Sequence, residues 1–139
     1  MKSLLISLSD NNFDYSQQSY PIIGDKNSIL SEEFMMILST RPCEINVSDF
    51  SLVNASILNY GVSDAFEYNI PAIEIASTLA SRIKMALIRF EPRLHDIQVE
   101  AENKNGSFYF FIIKARSMEG PVRYRIMWDD VISHFSFLE

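Results

Sequence analysis

Pro71-Ala-Ile-Glu-Ile-Ala-Ser-Thr-Leu-Ala-Ser-Arg-Ile-Lys-Met-Ala-Leu-Ile-Arg-Phe-Glu-Pro-Arg-Leu94 is the stretch whose reading decides the fold. Ile73, Ala76, Ala80, Ile83, Leu87 and Phe90 recur three and four apart, which lines them along one stripe of an α-helix with Ile75, Leu79 and Ala86 beside it. Pro71 suits the first turn, where a missing N–H costs nothing, and Glu74 sits near the positive end of the helix dipole. Pro92 cannot donate to the ladder and pushes Glu91 toward extended geometry, so the helix should stop at Arg89 or Phe90. Met85 and Ile88 fall on the far face among Ser77, Ser81, Lys84 and Arg89, where earlier helices are expected to cover them.

Upstream of this helix the pattern is weaker. Residues 1–28 have no sustained period and read as an N-terminal arm, with Leu4, Leu5, Ile6 and Leu8 as a short docking element at its head. From Ser28 the period becomes helical, with Leu30, Phe34, Ile37 and Leu38 on one face. Ser28 or Ser31 can cap this helix, Glu32 and Glu33 fall in its first turn, and it ends near Thr40-Arg41-Pro42. A shorter helix is expected over Asp49 to Leu58, with Phe50, Val53 and Ile57 together, before the turn Asn59-Tyr60-Gly61.

Past Leu94 the period drops to two. Ile97, Val99 and Ala101 alternate with polar residues, and Asn105-Gly106 supplies the positive φ angles of a hairpin turn. The returning strand, Ser107 to Ala115, is apolar on both faces. With Phe108, Phe110 and Ile112 on the core side, Tyr109, Phe111 and Ile113 would face outward beside Arg123 and Arg125 as a binding patch. Met118-Glu119-Gly120-Pro121 turns the chain into Val122, Tyr124, Ile126 and Trp128, and a last strand is expected over Ile132 to Leu138. The fold class is α+β: N-terminal helices and one long central helix packed on a three- to four-stranded antiparallel β-meander, a single domain over residues 29–139. The ends of such a meander are open edges to which a foreign strand can add.

Composition narrows the function. At 139 residues and 47% hydrophobic the chain holds enough apolar mass for one core, and a net charge of −6 without a basic run argues against nucleic acid or an anionic membrane as partner. The one cysteine, Cys43, suits a reducing cytoplasm, and Leu4-Leu5-Ile6 is too short for a signal-peptide core. Without a secretory route, the Asn-x-Ser triplets at Asn46, Asn54 and Asn105 are chance matches. Glu91, Asp96, Glu100 and Glu102 could be offered as a glycosidase pair, but so acidic a chain makes such clusters by chance. His95, His134 and Cys43 lack the short spacing of a metal site, and no glycine-rich phosphate loop is present. The reading is non-enzymatic, with no cofactor and no metal.

Three segments carry a family resemblance: Leu38-Ser39-Thr40-Arg41, Ser56-Ile57-Leu58-Asn59-Tyr60-Gly61-Val62, and Arg89-Phe90-Glu91-Pro92-Arg93-Leu94 before a strand. Together they resemble the TssE family, the baseplate wedge proteins of type VI secretion systems, which belong with the wedge proteins of contractile-tailed phages in a family once labelled lysozyme-like. The resemblance implies a structural role in the baseplate with TssF, TssG and TssK on the cytoplasmic side of the inner membrane. It also implies a sheet that templates the first sheath ring of TssB and TssC by strand addition. It carries a partner-contact role onto Glu91, Pro92 and Arg93, and on that footing Arg93→Ala should leave the thermal midpoint nearly unchanged while weakening wedge binding. The competing reading of the same tripeptide is a brace at the helix-to-strand joint. A rival from another class is an anti-adaptor that binds a response regulator and blocks sigma factor proteolysis. It shares a Glu-Pro-Arg segment and a Trp-Asp pair like Trp128-Asp129, but the Asn59-Tyr60-Gly61 turn resembles the secretion protein.

Overall fold

A computed structural model of the chain describes residues 26–43, 56 and 59–138. Helix α1 spans Lys26–Ser39 and α2 spans Ala72–Phe90; strands β1 (His95–Ala101), β2 (Phe108–Ser117), β3 (Gly120–Asp129) and β4 (His134–Leu138) follow. The four strands form one antiparallel sheet in the order β1-β2-β3-β4. Both helices lie on one face of it, α2 over β1 and α1 over β4. The architecture is α+β, with a four-stranded meander, as the change of period at Leu94 implies. The helix expected over 49–58, apart from Ser56, and residues 1–25 of the arm expected over 1–28 lie outside the described residues; residues 26–28 of that arm are instead the first turn of α1.

Helix α2 ends where Pro92 requires. Pro71 stands just before its first turn and its carbonyl accepts from the Glu74 and Ile75 amides, while the Glu91 amide still donates to the Leu87 carbonyl. Leu79, Ala80, Ile83, Ala86 and Leu87 are buried, but Ile73, at the head of the expected stripe, is 85% exposed. Helix α1 begins at Lys26, so Ser28 and Ser31 lie inside it rather than at its cap, and Glu32 and Glu33 fall beyond its first turn. Its Leu30, Phe34, Ile37 and Leu38 are buried, and the Phe34 ring lies 4.9 Å from Tyr124 and 5.6 Å from Phe137.

The two faces of β2 are the reverse of the expectation. Tyr109, Phe111, Ile113 and Ala115 are buried under the helices, whereas Phe108 is exposed and Phe110 half-buried on the outer face. The register explains the inversion. Tyr109, Phe111, Ile113 and Ala115 stand opposite Trp128, Ile126, Tyr124 and Val122, while Arg125 and Arg123 stand opposite Ile112 and Lys114. Antiparallel partners share a face, so β3, whose cations cannot enter the core, dictates which face of β2 is inside. The outer face carries the pairs Lys114–Glu100 and Arg125–Glu102, each 2.9 Å, and an exposed Arg116–Asp96 pair at 3.5 Å.

The first hairpin also differs in detail. Asn105 and Phe108 exchange two backbone hydrogen bonds of 3.0 Å, so the loop is Gly106-Ser107, with the positive φ of 62° on Gly106 alone of the pair. Glycine at the first loop position fits a type II′ hairpin turn rather than the type I′ turn of an Asn-Gly loop. Farther in, Tyr109 Oη and Trp128 Nε1 are buried without hydrogen-bond partners among the described residues. An unpaired buried hydroxyl costs about 1–3 kcal/mol of desolvation. Tyr109→Phe should therefore leave the urea midpoint unchanged or raise it, and a clear fall would mean that the hydroxyl is satisfied.

A buried ionic joint as the candidate functional site

Where α2 gives way to β1, Glu91 is 2% exposed. Its carboxylate accepts from Arg93 Nε at 2.7 Å and from Arg93 Nη2 at 2.8 Å, a two-point fork across the proline. The Arg93 backbone amide also reaches Glu91 Oε1 at 3.4 Å. The same guanidinium donates to Glu33, which is buried on α1. One cation thus ties Glu91, two residues away, to Glu33, 60 residues away, and fastens the first helix to the end of the second. Hydrogen bonding to Glu91, the larger effect, and the charges of both carboxylates raise the Arg93 pKa against its partial burial. Pro92 between them is exposed.

The other two signature segments meet at the same place. The Tyr60 ring packs edge-on against Phe90 at 4.9 Å. Gly61 takes φ +111°, and the Val62 amide donates to the Thr40 carbonyl at 3.0 Å. Arg41, next to Thr40, pairs with Asp64 at 2.9 Å and donates to the carbonyls of Leu38 and Ser133, each at 2.7 Å, with its guanidinium over the Phe135 ring. The Thr40-Arg41, Tyr60-Gly61 and Glu91-Pro92-Arg93 segments are therefore one structural joint in which loop and helix ends close on each other.

Tyr60 and Tyr124 report on the joint's charge. Burial first, and then the carboxylates Glu33 and Glu91, push the Tyr60 pKa up from 10.0. Tyr124 is raised mainly by burial, with Ser31 hydrogen bonding in the opposite sense. A phenol whose folded pKa lies above its unfolded value adds stability that is complete below about pH 10 and is lost as pH rises through the folded pKa. Tyr60→Phe should accordingly flatten the decline of stability above about pH 10. Parallel pH–stability curves for the two proteins would contradict this.

Sequence reasoning found Glu91, Pro92 and Arg93 but missed Glu33. Its signal was available: Glu33 lies three residues after Leu30 and four before Ile37, a carboxylate inside an apolar stripe. Within the chain the Arg93 fork is engaged by Glu91 and Glu33, the geometry of the brace reading, which makes a loss of stability in Arg93→Ala the expected result. Met85 and Ile88, expected to be covered, are 46% and 53% exposed.

Set beside known proteins, residues 26–129 match the model of the family described as Baseplate wedge protein gp25. The chain belongs to the gp25 baseplate wedge family. A Geobacter sulfurreducens protein solved under the name tail lysozyme is similar in fold, with a TM-score of 0.56 over 86% of this chain and 97% of that one at 17% identity. No curated protein matches the chain. Membership gives a baseplate structural role, and the family match takes in all three segments of the joint.

Proposed function

We propose that this wedge-family chain is a structural component of a type VI secretion baseplate. In that role it joins a wedge of TssF and TssG, near TssK, to the TssB and TssC sheath, and acts on the cytoplasmic side of the inner membrane. The observation that carries the reading is the open meander. Among the described residues, β1 and β4 each have a strand on one side only. Such edges present backbone N–H and C=O groups to which a sheath strand can add, so that the first ring is templated by β-sheet extension. Among the described residues no helix is long and apolar enough to cross a membrane.

The role is non-catalytic. Glu91 is buried against Arg93, and Asp96, Glu100 and Glu102 are each paired with a cation, Arg116, Lys114 and Arg125. Wedge contact at Glu91-Pro92-Arg93 uses exposed Pro92 and the open side of Arg93, with Glu91 holding the fork in place. The Trp128-Asp129 pair that an anti-adaptor would share is accounted for by packing, since the Trp128 ring lies among Tyr109, Phe66 and Phe135.

Affinity capture with the purified chain tests the reading. Wedge and sheath proteins should co-purify, and Pro92→Glu, at an exposed turn position, should weaken capture of the wedge proteins while leaving the melting curve in place. Capture of a response regulator without wedge or sheath proteins would overturn the assignment in favour of the anti-adaptor. Clearing of a cell-wall suspension that disappears with Glu91→Gln would overturn the non-catalytic role.

A further inference from the structure

A groove of about 530 Å³ opens where α2 meets the β1 edge of the sheet. Ile73, Ala76, Ser77, Ala80 and Ser81 bound it on the helix and Val99 and Ala101 on the strand, with Lys84, Glu102 and Asn103 completing its lining. The helix wall is built mostly of small residues, which leaves room beside the strand. Ile73 is 85% exposed, and Ala101 on the opposite wall is exposed too.

The hydrogen-bond ladder determines what the strand wall offers. The Glu102 amide donates to the Phe110 carbonyl at 2.8 Å, so Glu102 turns its backbone toward β2. Alternate residues of an antiparallel strand do the same, and the register runs without a slip from Gln98 onward, so Gln98 and Glu100 also bond inward. Val99 and Ala101 therefore point their N–H and C=O groups out of the sheet. Their side chains face the helices, since they stand opposite Ile113 and Phe111, both buried there. Unpaired backbone groups and groove thus open at the same two residues. Such a row is complementary to the backbone of an extended chain and not to a helix, whose own groups are already paired. The edge also lacks the usual protection: from Gln98 to Glu102 there is no proline or lysine, and the two helix-facing positions carry no charge. At the other edge β4 has five residues, and the hollow beside it is lined by the large Met35, Met36 and Phe137.

We propose that the β1 edge, rather than the β4 edge, accepts an antiparallel strand of a partner protein with apolar residues at alternate positions. The inference rests on strand addition as the proposed role and names where it occurs and which pattern it selects. Opposed residues of an antiparallel pair share a face. The partner residues that exchange hydrogen bonds with Val99 and Ala101 are therefore the ones whose side chains enter the groove, over Ala76 and Ala80 and against Ile73. The residues between them turn their backbone away from β1 and their side chains to the outer face.

The test uses the full chain and two fluorescent peptides that alternate valine with threonine, one N-methylated at the threonines and the other at the valines. Anisotropy should show the threonine-methylated peptide binding and the valine-methylated one weaker by about tenfold or more, because only the valine amides face β1. Ala101→Pro removes an N–H that β2 does not use, so it should weaken binding about tenfold with the melting curve in place. Met36→Glu, in the hollow beside β4, should leave binding unchanged. In affinity capture Ala101→Pro should lose the sheath proteins and keep the wedge proteins. Binding of neither peptide, a preference for the valine-methylated one, or binding that survives Ala101→Pro would overturn the proposal. Loss with Met36→Glu in place of Ala101→Pro would overturn it in favour of β4 and leave strand addition standing. Dimerisation of the parent chain that Ala101→Pro abolishes would overturn it in favour of a second copy. The expected peptide pattern with no sheath protein captured by the parent chain would support the edge and overturn the sheath role.

Discussion

Arg93→Ala is expected to lower the stability of the folded chain by about 3 kcal/mol or more. Removing the guanidinium leaves Glu91, 2% exposed, without the fork that neutralises it and cuts the tie from Glu33 to the end of α2. The cost is that of the stranded Glu91 charge as well as the lost hydrogen bonds. Urea unfolding monitored by circular dichroism should show the midpoint falling sharply with the slope retained. Arg93→Lys should be intermediate, since an ammonium keeps the charge but not the planar two-point fork that Glu91 accepts. Adding Glu91→Gln to Arg93→Ala should recover part of the loss by removing the stranded charge. A midpoint within experimental error of the parent for Arg93→Ala would show that the joint is not a brace.

The second large effect is expected at Gly61. A Cβ there would stand 2.1 Å from the Thr40 carbonyl oxygen, on a backbone with φ +111° that other residues rarely adopt. The carbonyl cannot simply move away, because it accepts the Val62 amide and its chain neighbour Arg41 is held by Asp64 and Ser133. Gly61→Ala should therefore cost about 3 kcal/mol or more, combining left-handed strain with a broken loop-to-helix contact. Gly106→Ala is the matched control. It also has positive φ, at +62°, but nothing lies within 4 Å of its added Cβ, so only the conformational cost of about 1–2 kcal/mol applies. Equal losses at the two glycines would mean that close packing of the loop on Thr40 contributes nothing.

Much of the fold is written in local pattern. Pro92 fixes the end of α2, and the shift from a period of 3.6 to 2 after Leu94 marks the start of the meander. The faces of β2 are not legible from β2 itself, because Phe108 to Ile113 is apolar on both sides and either alternation would satisfy the pattern. The information lies one strand later. A two-residue loop at Met118-Glu119 pairs Ser117 with Gly120, which puts Ala115 opposite Val122 and Tyr109 opposite Trp128. Because Arg123 and Arg125 must face water, Tyr109, Phe111 and Ile113 must face the core. Reading the strands as a pair rather than singly would have given the correct side.

The joint was legible as three motifs but not as one object. Thr40, Gly61 and Arg93 are far apart in sequence, and no periodicity relates them. Their convergence depends on α1 and α2 lying on the same face of the sheet, which packing decides. Glu33 belongs to none of the motifs and becomes intelligible only when Arg93 arrives from 60 residues away. The exposed side of α2 was misread for a related reason. A helix in a small domain is often covered on two sides, but here Met85 and Ile88 are 46% and 53% exposed.

The central physical claim is that the Glu-Pro-Arg turn holds the first helix to the second through one shared cation. A double-mutant cycle between Glu33 and Arg93, with Glu33→Gln, Arg93→Gln and the double variant compared by urea unfolding, measures that tie directly. The coupling energy should be about 2 kcal/mol or more. A value below about 0.5 kcal/mol would show that the two residues act independently and that the helices are held together by apolar packing alone.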